Sequence, residues 1–291
     1  APPTKTPSIS LIAMISSILL GLTDPPYWII TSSKPISFLI KEHILLVTFN
    51  RPKFANAFNT QMAQELIELM EDISMSSDEI RTIIFTGSGD KAFCAGGDLK
   101  ERNGMSDQDW EKQHLVYERM IRAIINCPIP VIGAINGAAY GGGCEIAAAL
   151  DFIYVSENAR FALPELQLGI IPGAGGTQNL SRAIGERRAK EIILTGKVFS
   201  AHEAVEWNLA NNVFPHSELL EKTIEKAEEI SSKAPIAVRQ AKQSIHKGLQ
   251  MSLSDGLSFE IEAYNRTIPT EDRREGVLAF NEKRKPVFKG K

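Results

Sequence analysis

The stretch PVIGAINGAAYGGGCEIAAALDFIYVS, residues 130–156, constrains the fold more than any other part of the chain. It begins and ends with apolar runs too short for helices, PVIGAI (130–135) and DFIYVS (151–156), which read as strands. Between them three glycines lead into residues 142–150, a segment with the composition of a tightly packed helix. HILLVTF (43–49) and TIIFT (82–86) read as further strands. Residues 59–74 read as a helix with Met62, Leu66, Leu69 and Ile73 on one face, and 109–126 as a helix ending before Cys127-Pro128. Strands alternating with helices predict an α/β domain with largely buried strands. After about residue 217 the strand signal ends and four segments with helical patterning follow.

A chain of 291 residues with 43% hydrophobic content suits one large globular domain or two smaller ones. The net charge of −3 gives no general reason to expect nucleic acid or an anionic membrane as a partner. The segment 61–81 carries Glu65, Glu68, Glu71, Asp72, Asp78 and Glu79 against Arg81 alone, which argues further against phosphate binding. The five histidines lack metal-site spacing, so no metal is expected. Cys94, Cys127 and Cys144 form no C-x-x-C pair and suggest reduced thiols in an intracellular compartment. GSGDKA (87–92) and GAGGTQ (173–178) both lack the last glycine of a dinucleotide fingerprint, which makes a Rossmann oxidoreductase a poor fit. Residues 1–36 are rich in Pro, Ser and Ile, and their apolar run from Ile9 to Leu22 is short of a membrane span. They read as a poorly ordered extension or a vestigial leader.

Three stretches carry candidate chemistry. KAFCAGGDLKE (91–101) follows a strand, the glycine run 141–143 precedes Glu145, and Glu165 is the only charged residue between Arg160 and Arg182. Glycine-rich loops let backbone N–H groups face a cleft, where two of them could hold an oxygen that becomes negative. Two glutamates beside them could move protons and activate water. Each feature also has a plainer reading. Glu145 could cap its own helix, Glu165 could be an exposed loop carboxylate, and the glycines could be ordinary turns.

From about residue 37 to 291 the chain resembles the crotonase (enoyl-CoA hydratase/isomerase) family. The resemblance is carried by FNRPKFANAFN, KAFCAGGDLKE, INGAAYGGGCEIAAALD, ALPELQLGIIPGAGGTQNLSRAIG and TIPTEDRREGVLAFNEKRKPVFKG. It implies a spiral of ββα units over 37–216 and a C-terminal helical region over 217–291 that mediates trimerisation. It also implies a homotrimer or homohexamer, an acyl-CoA thioester substrate, and no cofactor beyond the coenzyme A of that substrate. Residues 1–36 lie outside it. By the same resemblance the oxyanion hole falls on the backbone N–H groups of Gly97 and Gly142. The catalytic pair falls on Glu145, taking a proton from water, and Glu165, giving one to C2. Ala95, Gly96, Gly97, Asp98, Leu99, Lys100 and Gly173 match positions that contact substrate, and Lys283 matches one reaching the CoA phosphates. The expected activity is hydration of a 2-enoyl-CoA to a 3-hydroxyacyl-CoA in fatty acid or branched amino acid breakdown, in the bacterial cytoplasm or the mitochondrial matrix. The alternatives are a 3-methylglutaconyl-CoA hydratase of leucine breakdown, which FCAGGDLKER and TIPTEDRREGVLAF resemble, and an enoyl-CoA isomerase. Phe161, Leu163 and Leu166 are expected to form an apolar wall that raises a carboxyl pKa by desolvation.

Overall fold

A computed structural model describes residues 28–30, 35–75 and 79–291. Most of the expected extension, residues 1–27 and 31–34, lies outside the described residues; of the remainder, Trp28–Ile30 (β1) pairs antiparallel with Ile36–Lys41 (β2). β2 pairs antiparallel with Ile44–Phe49 (β3). From β3 onward the large sheet is parallel, through Thr82–Gly87 (β4), Val131–Ile135 (β6), Phe152–Ser156 (β8) and Asn212–Phe214 (β11). Among the described residues it has seven strands in the order β1-β2-β3-β4-β6-β8-β11.

A second sheet explains how the loops are held. Ala92–Cys94 (β5), Ala138–Tyr140 (β7) and Arg160–Ala162 (β9) pair in parallel, and Phe199–Ser200 (β10) closes the edge antiparallel to β9. Each long strand β4, β6 and β8 is thus followed by a three-residue strand and then by helix, a ββα repeat. The plain strand–helix alternation read from the sequence missed these short strands. Three residues are too few for a period-2 pattern to register.

The Thr60–Met75 helix buries the expected face, Met62, Leu66, Leu69 and Ile73, in the main core. That core is centred on aromatic packing of Phe49 with Phe85 and Phe93, at 5.5 and 5.1 Å between ring centroids. Helices Leu219–Ser231, Pro235–Gly248, Leu253–Asn265 and Glu271–Glu282 make up the C-terminal region. The chain end returns to the sheet side: Arg81 donates from Nη1 to the Ser231 carbonyl and from Nη2 to that of Phe288, both at 3.0 Å. Buried Asp272 accepts the N–H groups of Lys289 and Gly290 at 2.7 and 2.8 Å. Among the described residues no helix is long and apolar enough to cross a membrane.

Candidate active site

The second sheet delivers the three glycine-bearing segments to one cleft of about 1100 Å³. β5 leads to Ala95–Gly97, β7 to Gly141–Gly142, and β9 to Glu165. The first two segments touch closely. A Cβ on Gly96 would lie 2.9 Å from the Gly142 nitrogen, so a side chain there would press on that donor. Gly142 is the first residue of the Gly142–Ala149 helix, where an N–H has no partner within the helix. Gly97 forms a bridge with Phe58, made by Phe58 N–H to Gly96 O and Asp98 N–H to Phe58 O, both 2.9 Å. That pairing leaves the Gly97 N–H outside the ladder. Gly97 and Gly142, whose N–H groups the resemblance assigns to an oxyanion hole, thus both line the cleft.

Glu145 is buried, with 4% exposure. It does not cap its own helix. Its Oε1 accepts the N–H groups of Ala174 and Gly176, both at 2.8 Å, from the loop that follows Glu165. Burial pushes its carboxyl above the ordinary range, and the two N–H donors oppose that shift without cancelling it. Glu165 is not an exposed loop carboxylate either, at 8% exposure. Its Oε2 is buried with no hydrogen-bond partner, and its Oε1 lies 3.1 Å from where a Cβ on Gly141 would stand. Desolvation pushes the Glu165 carboxyl up to about 7, opposed by a hydrogen bond from its own backbone N–H and helped to a lesser extent by the nearby Glu145 charge.

The other residues singled out from the sequence divide. Ala95, Gly96, Gly97, Leu99 and Gly173 line the cleft with Gly142 and both glutamates. Asp98 does not; its carboxylate is buried against Arg51 at 2.8 Å and caps the short Leu99–Arg102 helix by accepting the Lys100 N–H at 3.0 Å. Burial would raise its pKa, but these bonds hold it below the ordinary value. Lys100 points to the Phe54 ring, 5.5 Å from its centroid, and lies outside the cleft wall. Lys283 caps the Glu271–Glu282 helix in the left-handed conformation and is also outside this cleft. The expected apolar wall is corrected too. Phe161 stacks on Phe199 inside the core, Leu163 is fully buried and Leu166 is exposed, and none of the three lines the cleft. Leu168, Ile170, Ile171 and Pro172 line it instead.

Sequence reading missed the opposite wall. Trp110, His114, Tyr117 and Ile121 of the Asp107–Ile125 helix all line the cleft, with Phe58 and Arg102. Their 4-3-4 spacing is a legible signal for a shared helix face, although most such stripes serve only packing.

Two buried carboxylates, the Gly97 and Gly142 N–H groups and an apolar wall in one cleft suit acid–base chemistry on a substrate that develops negative charge. The comparisons give that class its family: the sequence profile of the Enoyl-CoA hydratase/isomerase family matches residues 39–291, and the chain belongs to that family. It is 42% identical to a short-chain-enoyl-CoA hydratase of Clostridium acetobutylicum over 83% of this chain and 92% of that protein. It is 41% identical to a mitochondrial enoyl-CoA hydratase of Pongo abelii over 84% and 83% of the two chains. The crystal structure of an enoyl-CoA hydratase from Bacillus anthracis superposes with a TM-score of 0.85 at 43% identity, covering 92% of this chain and all of that one. The fold is the crotonase fold expected from the sequence, with its C-terminal helices in place.

Proposed function

We propose that this chain is an enoyl-CoA hydratase, adding water across the 2,3 double bond of a 2-enoyl-CoA to give the 3-hydroxyacyl-CoA. The observation that carries the reading is the placement of Glu145 and Glu165 in one cleft beside the Gly97 and Gly142 N–H groups. Attack of water at C3 pushes electrons onto the thioester oxygen. The two N–H groups stabilise that charge, each by about 3–4 kcal/mol in comparable sites. Glu145, whose carboxylate form is held by two N–H groups, takes the proton from the attacking water. Glu165, whose free oxygen and desolvated setting favour the protonated form, gives its proton to C2. A double-bond isomerase needs only one proton-shuttling carboxylate, so two in different environments favour hydration. The hydratase names of the Clostridium and Pongo relatives support the same choice.

Coenzyme A enters as part of the substrate, and the reading calls for no metal or redox group. In the same reading residues 37–216 carry the site and 217–291 carry assembly, as a homotrimer or homohexamer. Leu249, Leu253 and Phe280 support this, since they stand 80 to 83% exposed on or next to the C-terminal helices. Loss of the conjugated absorbance of crotonyl-CoA tests the activity directly. Glu145→Gln and Glu165→Gln should each lower turnover at least about 100-fold with circular dichroism unchanged. Interconversion of 3-enoyl- and 2-enoyl-CoA without hydration would instead assign the isomerase reaction.

A further inference from the structure

The turn that follows β3 holds two residues in an uncommon backbone conformation. Ala55 and Asn56 stand in succession at φ of 49° and 56°, the left-handed region that residues with side chains rarely adopt. Such a pair persists only where its surroundings fix it. Asn56 supplies the fixing. It is 1% exposed, and its Nδ2 donates to the carbonyls of Ser88 and Ala92 at 3.0 and 2.8 Å. Its Oδ1 accepts the Arg51 N–H at 3.0 Å and the Ser88 hydroxyl at 3.1 Å. The Ala55 carbonyl accepts the Ala95 N–H at 3.0 Å. The turn is thus tied to the start of β5 and to the loop just beyond its end.

This turn delivers Phe58, buried at the wall of the cleft. The Phe58 backbone brackets Gly97, donating its N–H to the Gly96 carbonyl and accepting the Asp98 N–H. Its ring reaches the other glycine segment. A Cβ on Gly142 would lie 2.6 Å from the ring Cζ and 2.8 Å from Cε1, and Cε2 is 3.9 Å from where a Cβ on Gly97 would stand. The tip of one ring therefore touches both segments. The Tyr117 ring packs against it nearly at right angles, 4.7 Å between centroids, which fixes its tilt.

We propose that Phe58 is a positioning residue for the reaction: its backbone places the Gly97 segment, its ring places the Gly142 segment, and together they set the distance between the two N–H donors. This rests on the reading that those donors hold the thioester oxygen. Donors to a developing oxyanion act over a narrow range of distance, and misplacement by about 1 Å can cost roughly 100-fold in rate.

Phe58→Ala, Phe58→Val and Phe58→Leu in the full chain test this, each checked for fold by circular dichroism. Phe58→Ala should lower kcat for crotonyl-CoA by roughly 10- to 100-fold and change KM by less than about threefold, because the donors act mainly in the transition state. Phe58→Leu refills part of the space and should recover part of the rate. Acetoacetyl-CoA reads the donors without turnover. Its C2 proton lies between two carbonyls, and the enolate left by loss of that proton absorbs in the near ultraviolet. Bound to the unaltered protein it should hold a larger enolate fraction than the free thioester in the same buffer. That excess should decrease in the order unaltered protein, Phe58→Leu, Phe58→Val, Phe58→Ala. A folded Phe58→Ala with kcat within about twofold of the unaltered protein would overturn the proposal. So would a loss confined to KM, or a lower kcat with the enolate excess unchanged, since either is what general loosening of the wall produces. Should Phe58→Ala fail to fold, the same criteria apply to Phe58→Val. Failure of the oxyanion reading would show separately, as no enolate excess on the unaltered protein, and the proposal would fall with it.

Discussion

Glu165 should make the folded protein less stable as pH rises, and removing its charge should abolish that loss. Its carboxyl goes from an ordinary 4.5 to about 7 on folding, chiefly by desolvation. Between those values the folded state binds more protons than the unfolded state, so stability falls with rising pH across that window. At about 1.4 kcal/mol for each pH unit the full effect would be about 3 kcal/mol above pH 7. The carboxyl borders an open cleft, and solvent screening reduces this to about 1–2 kcal/mol. For a chain of this size that corresponds to roughly 4 °C in Tm. Glu165→Gln keeps the shape and removes the titration. The buried position of Oε2 has no partner in either protein, so the variant's constant cost cancels in a comparison across pH. Thermal unfolding of both proteins at about pH 5 and about pH 8.5 measures the double difference. The variant should lose roughly 4 °C less than the unaltered protein between the two conditions. Parallel losses would mean that Glu165 ionises as easily folded as unfolded, and its role as the proton donor would lose its physical basis.

Arg51→Met leaves the Asp98 carboxylate buried without its partner and should cost about 3 kcal/mol, read as a lower urea midpoint; a change under about 1 kcal/mol would show that Asp98 is solvated. Gly143→Ala would set a Cβ inside the contact distance of the Cys94 carbonyl oxygen, so little folded protein should be recovered, and a native dichroism spectrum at normal yield would contradict the packing. Lys283 lies outside the cleft wall of the single chain, and the proposed contact with CoA phosphates is one made across to a neighbouring subunit. On that reading Lys283→Ala should raise KM for crotonyl-CoA several-fold with little change in kcat, and should have no effect with a pantetheine thioester; equal losses on both would remove the phosphate assignment.

The helices were legible where one apolar face repeats over several turns, as in Thr60–Met75, and where strands are long and uniformly apolar, as in β4 and β6. The second sheet was not, because its strands run three residues or fewer and are defined by pairing between segments far apart in sequence. In the site, the glutamates and glycines stood out as exceptions to their surroundings. The partners that give the glutamates their character did not: the N–H groups of Ala174 and Gly176 are backbone atoms and carry no sequence signal. Asp98 shows the converse limit. The family resemblance implied substrate contact there, while its side chain serves Arg51 and the helix cap.

The glycine run 141–143 shows why a motif can be right in outline and incomplete in cause. From the sequence, three glycines before Glu145 suggest a backbone opened to a ligand. Each of the three meets a different constraint. Gly141 adopts a φ of 52°, which side-chain-bearing residues rarely tolerate, and the space above it is taken by Glu165 Oε1. Gly142 is the proposed donor, but a Cβ there would lie 2.6 Å from the Phe58 ring, so its absence of a side chain serves internal packing as well. Gly143 is pressed on the Cys94 carbonyl and fixes how closely the helix lies on β5. Since β5 leads directly to Gly97, that last contact also fixes one donor-bearing segment against the other. The spacing of the Gly97 and Gly142 segments therefore depends on the Gly143 contact with Cys94 as well as on the contact of Gly96 with Gly142.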